Sequence, residues 1–243
     1  IYKKITYLYE NYFLRYVNQI ITTAKSDEEM LKIIYNQHSH LLWNQIYNYP
    51  ANILDYNKVF DIHKELNIKT NHKLIVYQGV IQKHRGVGQL IKLIFQSSGF
   101  SAIIIGDGQE KKYYEKLVKK YNVQDKVFFI GKIPYLDLFQ YTLACDIGWL
   151  VIKGHGISNQ LALPNKLFEY TIADLPIISS SLTNMEKIVE KYNLGVVVSE
   201  DNVKEQLAAL KEIEKYFKKK NMNDNVKFTW SSQHQTLMNI INE

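Results

Sequence analysis

In the stretch LALPNKLFEYTIADLPIIS (161–179), a proline, a lysine and a glutamate gather where an amphipathic helix is expected to begin, and a second proline then opens an apolar, β-branched run. Pro164 suits the first turn of a helix, where its missing N–H costs nothing. Asn165 and Lys166 would then present main-chain amides and an ammonium group to a docked anion. Glu169 lies one turn on, on the same face as Lys166, where it can accept hydrogen bonds from hydroxyls on the body of that ligand. A diphosphate at the helix start with a sugar hydroxyl beside it explains both residues. A plain i, i+3 surface pair worth ~0.2–0.5 kcal/mol explains them too.

A second cation stands in QGVIQKHRGVGQL (78–90). Gly79 ends a strand and allows close backbone approach, while Arg85 and Gly86 open the next helix, where the helix dipole favours an anion. An ordinary βα turn with a solvated arginine is the competing reading. There is no GxGxxG in the right place, and the GVG at 86–88 falls inside the expected helix, so a nicotinamide-type dinucleotide fold is disfavoured. GDG (106–108) reads as a tight turn. Gly131 leaves the backbone of Lys132 and Ile133 free to meet a flat base. Gly154, Gly156 and Ser158 in VIKGHGISNQ add mobile backbone at the same mouth. His38 and His40 lack a third metal ligand, and no Asp-x-Asp occurs, which argues against a metal-bridged diphosphate. Lys218 to Lys220, beside Tyr216 and Phe217, read as a solvated helix end.

The elements that must position these residues alternate from about residue 73 onward. Strands are expected at 73–78, 101–105, 126–130, 146–151, 176–179 and 195–198, and helices at 86–96, 109–121, 135–143, 165–173 and 183–192. Continuous apolar runs suit strands covered on both faces, so the fold class is α/β, a doubly wound parallel sheet that binds ligands at the carboxyl ends of its strands. Earlier, 2–17 reads as a tyrosine-rich helix, 19–24 as a strand, Ser26 as the cap of a helix to 36 with Glu29 completing a capping box, and 45–49 as a strand. A charged helix is expected at 203–220 and a last one from about Ser231.

The chain has 243 residues, 46% of them hydrophobic, enough for a packed core. Its 30 basic and 24 acidic side chains leave a net charge of +6, which suits an anionic partner. The basic residues are dispersed among acids, so nucleic acid is not expected as a partner. A lone cysteine, Cys145, excludes an internal disulfide framework and fits a reducing compartment, for which the cytoplasm is the expectation. No apolar run approaches the ~20 residues of a membrane span. The start IYKKI reads as that of an excised piece of a longer protein.

Taken as an ordered set, GVIQKHRG, IIIGDGQE, VFFIGKIPYLDLFQYTLACDIGWL and ALPNKLFEYTIADLPII resemble the donor-binding half of the retaining GT-B glycosyltransferases of family 4, over roughly residues 73–200. ITTAKSDEEM and QIYNYP resemble the end of that family's acceptor domain, and FTWSSQHQTLMNIINE its returning C-terminal helix. The resemblance implies a Rossmann-like GT-B C-terminal domain with a remnant of a second α/β domain. Its parts would be the acceptor-domain tail (1–50), a linker (51–72), the nucleotide-sugar-binding domain (73–220) and the returning helix (221–243).

It implies a hexosyltransferase acting on a nucleoside-diphosphate sugar and a glycan or lipid-linked acceptor in bacterial surface polysaccharide synthesis. That enzyme would work in the cytoplasm with peripheral contact at the inner membrane face, without metal or other cofactor, and the piece alone would be inactive. Gly79 and Arg85 would meet the diphosphate, with Gly86 shaping the turn and Arg85 and Lys166 as the catalytic cations. Lys166 and the amides around Asn165 would hold the phosphates, Pro164, Lys132 and Ile133 would border the nucleotide, and Glu169 would bind the ribose. Leu161 stands where the family often has a first glutamate, with Ser158 and Asn159 as substitutes. Val80 replaces a common arginine, and Asp174 a glycine that caps the helix. A noncatalytic GT-B-like partner protein with a decayed donor site is the alternative that Leu161 keeps open.

Overall fold

The computed structural model describes residues 2–51, 61–216 and 227–242. The chain divides into two compact units, Ile1–Asn48 with Trp230–Glu243, and Tyr49–Thr229. In the first unit, α1 (Tyr2–Phe13) runs into a 3-10 turn, Leu14–Tyr16, and β1 (Gln19–Thr22) is followed by α2 (Lys25–Ile34) and β2 (Leu42–Gln45). The strands pair in parallel, Gln19 opposite Leu42. Two expectations fail here. The strand expected at 45–49 lies at Leu42–Gln45, because the amide of Tyr47 donates to Gln233 Oε1 (2.7 Å) and its carbonyl accepts from Gln233 Nε2 (2.8 Å), so no strand partner is needed. The second helix begins at Lys25 with Ala24 as N-cap and no side-chain cap, so Ser26 lies inside the helix rather than capping it. The buried acid of this helix is Glu28, held by Lys25 (3.0 Å), Lys32 (2.6 Å) and Gln45 (2.6 Å).

The larger unit opens with α3 (Ile62–Glu65), inside the stretch expected as a linker, of which 52–60 lies outside the described residues. Then follow β3 (Lys73–Gln78), α4 (Val87–Gln96), β4 (Phe100–Ile105), α5 (Lys111–Lys120), β5 (Val127–Gly131), α6 (Tyr135–Leu143), β6 (Ile147–Leu150), α7 (Ile157–Gln160), α8 (Asn165–Ile172), β7 (Ile177–Ser180), α9 (Thr183–Lys191), β8 (Gly195–Val198) and α10 (Val203–Tyr216). The chain ends in a 3-10 turn, Trp230–Gln233, and α11 (His234–Asn242). Residues 217–226, with the lysine cluster expected to end the charged helix, lie outside the described set.

The six strands form one parallel sheet in the order β5-β4-β3-β6-β7-β8. Strands β3 to β5 proceed in one direction and β6 to β8 in the other, so the order reverses between β3 and β6. That reversal leaves a crevice outside the carboxyl ends of these two strands. Buried Ile, Leu and Val from β3, β4 and α4 fill the core around Trp149, all fully or nearly fully buried. Across such a core the hydrophobic gain scales at about 25 cal/mol per Å² of apolar surface removed from water, which fixes the strand ends that carry the site.

Two glycines are required by close approach. A Cβ on Gly148 would stand 2.5 Å from the ring of Tyr170, so only glycine lets α8 lie against β6. The Tyr170 hydroxyl can then accept from the amide of Gln78 (3.1 Å) and donate to the carbonyl of Val76 (3.1 Å), locking α8 to the end of β3. Gly86, at φ 87°, is the N-cap of α4, and a Cβ there would stand 1.9 Å from the Val151 carbonyl oxygen. The GVG stretch therefore lies at the first turn of α4, not within its body. Asp174, at φ 56°, adopts the left-handed conformation that ends α8.

Candidate functional site

At the reversal of strand order lies a hollow of about 530 Å³. The end of β3 and the loop after it give Tyr77, Gln78, Gly79, Val80, Gln82 and Arg85; α6 gives Tyr135 and Leu138; and the start of α8 gives Pro164, Asn165, Lys166 and Glu169. Arg85 and Lys166, 81 residues apart in sequence, thus face one cavity.

Lys166 is only 9% exposed. Its ammonium lies 4.1 Å from the centre of the Tyr77 ring, a cation–π contact, and among the described residues no carboxylate forms an ion pair with it. Burial first, and the Arg85 guanidinium second, push its pKa down to about 7, with the Glu169 carboxylate pulling the other way. An anion placed in the hollow would oppose both effects and favour the charged form of Lys166. Pro164 precedes α8 without a side-chain cap, leaving the positive end of that helix's dipole turned to the same place.

Glu169, mostly buried, has its pKa raised by burial, against the opposing effects of Gln78, Lys166 and Tyr135. Gln78 Nε2 donates to its carboxylate, and Gln78 Oε1 accepts from Thr142 Oγ1 at 2.9 Å. Burial likewise raises the pKa of Tyr77, whose hydroxyl donates to the Val80 carbonyl at 2.7 Å and shapes the turn after β3.

The arginine loop is held from two sides. The Lys153 amide donates to the His84 carbonyl (2.9 Å) and Trp149 Nε1 to the Gly86 carbonyl (2.9 Å), so the residues flanking Arg85 are both tied to the end of β6. His155 stacks on His84 with ring centres 4.8 Å apart, which sets the Gly154–Gly156 loop beside the first βα loop. The GDG turn buttresses the same loop from the other side, through Ile81 N to Asp107 O (2.9 Å) and Glu110 N to Ile81 O (3.2 Å).

Other residues singled out in the sequence lie outside the lining. Gly86 shapes the turn from beneath. Lys132 and Ile133 follow the end of β5, two strands from β3. Asn159 sits on α7 and donates to the Lys153 carbonyl (3.4 Å), while the side chain of Ser158 lies outside the described residues. Leu161 ends α7, and its carbonyl accepts from Asn184 (2.7 Å). Among the described residues no group of three or more His, Cys, Asp or Glu is placed to hold a metal ion. Tyr77, Gln78, Tyr135 and Thr142 were missed, although a glutamine closing the apolar run LIVY was a visible signal.

The sequence model of the family described as glycosyl transferases group 1 matches residues 58–227. The chain belongs to this family. An uncharacterized glycosyltransferase of Methanocaldococcus jannaschii is 24% identical over 190 residues, 74% of this chain and 44% of the relative. Among solved structures, the sucrose-phosphate synthase of Thermosynechococcus elongatus superposes with a TM-score of 0.77 at 19% identity, covering 98% of this chain and 61% of that one. Anabaena HepE, crystallised with UDP, gives 0.76 at 16% identity, covering 96% and 65%. The pneumococcal O-GlcNAc transferase GtfA, crystallised with UDP and GlcNAc, gives 0.69 at 14%, covering 97% and 47%. These likenesses establish a Rossmann-like GT-B fold. The chain spans less than two thirds of the length of each of these relatives.

Proposed function

We propose that this chain is the donor-binding part of a retaining family 4 glycosyltransferase. It would take a hexose from a nucleoside-diphosphate sugar and pass it to a glycan or lipid-linked acceptor, in building a bacterial surface polysaccharide at the cytoplasmic face of the membrane. The observation that carries this reading is the buried Lys166, without a carboxylate ion-pair partner among the described residues, sharing one hollow with Arg85. The diphosphate would lie between these cations and the start of α8, with the ribose hydroxyls at Glu169. The UDP bound by HepE and by GtfA supports a uridine nucleotide as the first ligand to try.

As the glycosidic bond breaks, negative charge grows on the leaving diphosphate. Two fixed cations in a closed cleft would each supply ~2–4 kcal/mol of stabilisation to it. Those cations fill the role of charge neutraliser, so the reading includes no resident metal. The acceptor would come from the remainder of a longer protein, so the chain alone would bind donor without transferring sugar. Calorimetry with UDP, ADP and GDP tests the proposal: one should bind, and Lys166→Met should weaken it by ~10- to 100-fold, as expected for losing a hydrogen bond to a charged group. Equal binding by wild type and variant, or binding of none of the three, would overturn it. The alternative, a noncatalytic partner with a decayed site, is favoured by Leu161 and predicts no ligand-induced thermal shift.

A further inference from the structure

Gln78 ends β3 and takes hold of α8 at two neighbouring residues. Its main-chain amide donates to the Tyr170 hydroxyl (3.1 Å), and its side-chain Nε2 donates to the Glu169 carboxylate. Only 3% of Gln78 is exposed, and its Oε1 accepts from the hydroxyl of Thr142 (2.9 Å), a residue of α6 that is 1% exposed. That hydroxyl has one proton and a second acceptor in reach, the Leu138 carbonyl at 3.0 Å. Leu138 lies inside α6, where the helix already supplies its carbonyl with a donor, whereas a buried amide oxygen left without one is costly. The proton is therefore best used on Gln78, and with its oxygen so engaged the amide turns its nitrogen toward Glu169. Burial favours the protonated form of Glu169, and the Gln78 donor opposes it. A protonated carboxyl would offer a hydrogen where a ligand hydroxyl needs an acceptor. An ionised carboxylate has about four acceptor directions, of which Gln78 takes one.

We propose that Gln78 and Thr142 are positioning residues for sugar recognition: the one-way hydrogen-bond chain from Thr142 through Gln78 fixes the Glu169 carboxylate as an acceptor for ribose hydroxyls. This rests on the reading of Glu169 as the ribose acceptor. Thr142 lies outside the lining of the large hollow, so it acts on the ligand only through the amide.

Calorimetry on the whole chain, with UDP, ADP and GDP and their 2′,3′-dideoxy forms, tests this through the ratio of the two affinities, in which any effect on the phosphate contacts cancels. Thr142→Val keeps the shape of the side chain and removes the proton. It should lower the preference for the ribonucleotide about three- to tenfold, the worth of one net hydrogen bond, and leave the dideoxynucleotide unchanged. Thr142→Ser should keep the wild-type ratio. Gln78→Met should lower the ratio as far, and Thr142→Val added to it should lower it no further, because the threonine acts through the amide. A ratio unchanged or raised in either single variant, with wild type still preferring the ribonucleotide, or losses that add in the double variant, overturns the chain and leaves the Glu169 reading standing. A wild type that binds both forms equally, or neither, overturns the Glu169 reading, and this inference with it.

Discussion

Lys166 is held against its own chemistry. In water a lysine keeps its proton to about pH 10.4, but here burial and a neighbouring guanidinium bring its pKa to about 7. Between these limits the unfolded chain holds a proton that the folded chain has released, so stability should rise with pH across this window, and the cost of the buried charge is fully present below about 7. Phosphate oxygens bound in the proposed site would act in the opposite sense and restore the proton. Nucleoside diphosphate binding at pH 8 should therefore take up nearly one proton, and affinity should fall as pH rises above 7. Calorimetry in buffers of different ionisation enthalpy reads this directly, and Lys166→Met should abolish the uptake.

Among the elements, α8 depends on a contact that its own sequence does not announce. Tyr170 is fully buried and spans from the helix to the amide of Gln78 and the carbonyl of Val76. Tyr170→Phe keeps the ring packed against Gly148 and orphans a buried N–H, so urea unfolding should show a loss of about 1–3 kcal/mol. The same contact shows where sequence reading succeeds and stops. The runs KLIVYQ and GVVV and the helix YLDLFQYTL could be placed residue for residue, because period and β-branching decide them locally. The cations could be found because proline and glycine mark the helix starts. Gln78, Tyr135 and Thr142 could not be joined to Glu169, since their contact is made by strand order rather than spacing. The second strand was misplaced because a glutamine 186 residues away takes the backbone groups of Tyr47.

On the scale of the whole molecule, every residue that lines the hollow belongs to the unit Tyr49–Thr229. Ligand binding should therefore leave its mark there alone. Hydrogen exchange with and without the bound nucleoside diphosphate should show protection around 77–85, 135–138 and 164–169, and no change in β1, α2, β2 or α11. Protection spread evenly over both units would mean that the ligand acts on general stability rather than at this crevice. Among the described residues no helix is long and apolar enough to cross a membrane.

The carbonyls on either side of Arg85 are each fastened to the end of β6. The guanidinium therefore hangs from a backbone that has lost its freedom before any ligand arrives, and only the side-chain torsions remain to be ordered on contact. Part of the entropy that recognition would otherwise consume is spent during folding. Affinity for the proposed anion would accordingly be tied to a tryptophan outside the lining of the hollow: were the Trp149 indole to let go of Gly86, the loop would regain its freedom and dissociation would quicken, although every side chain that lines the hollow would still be present.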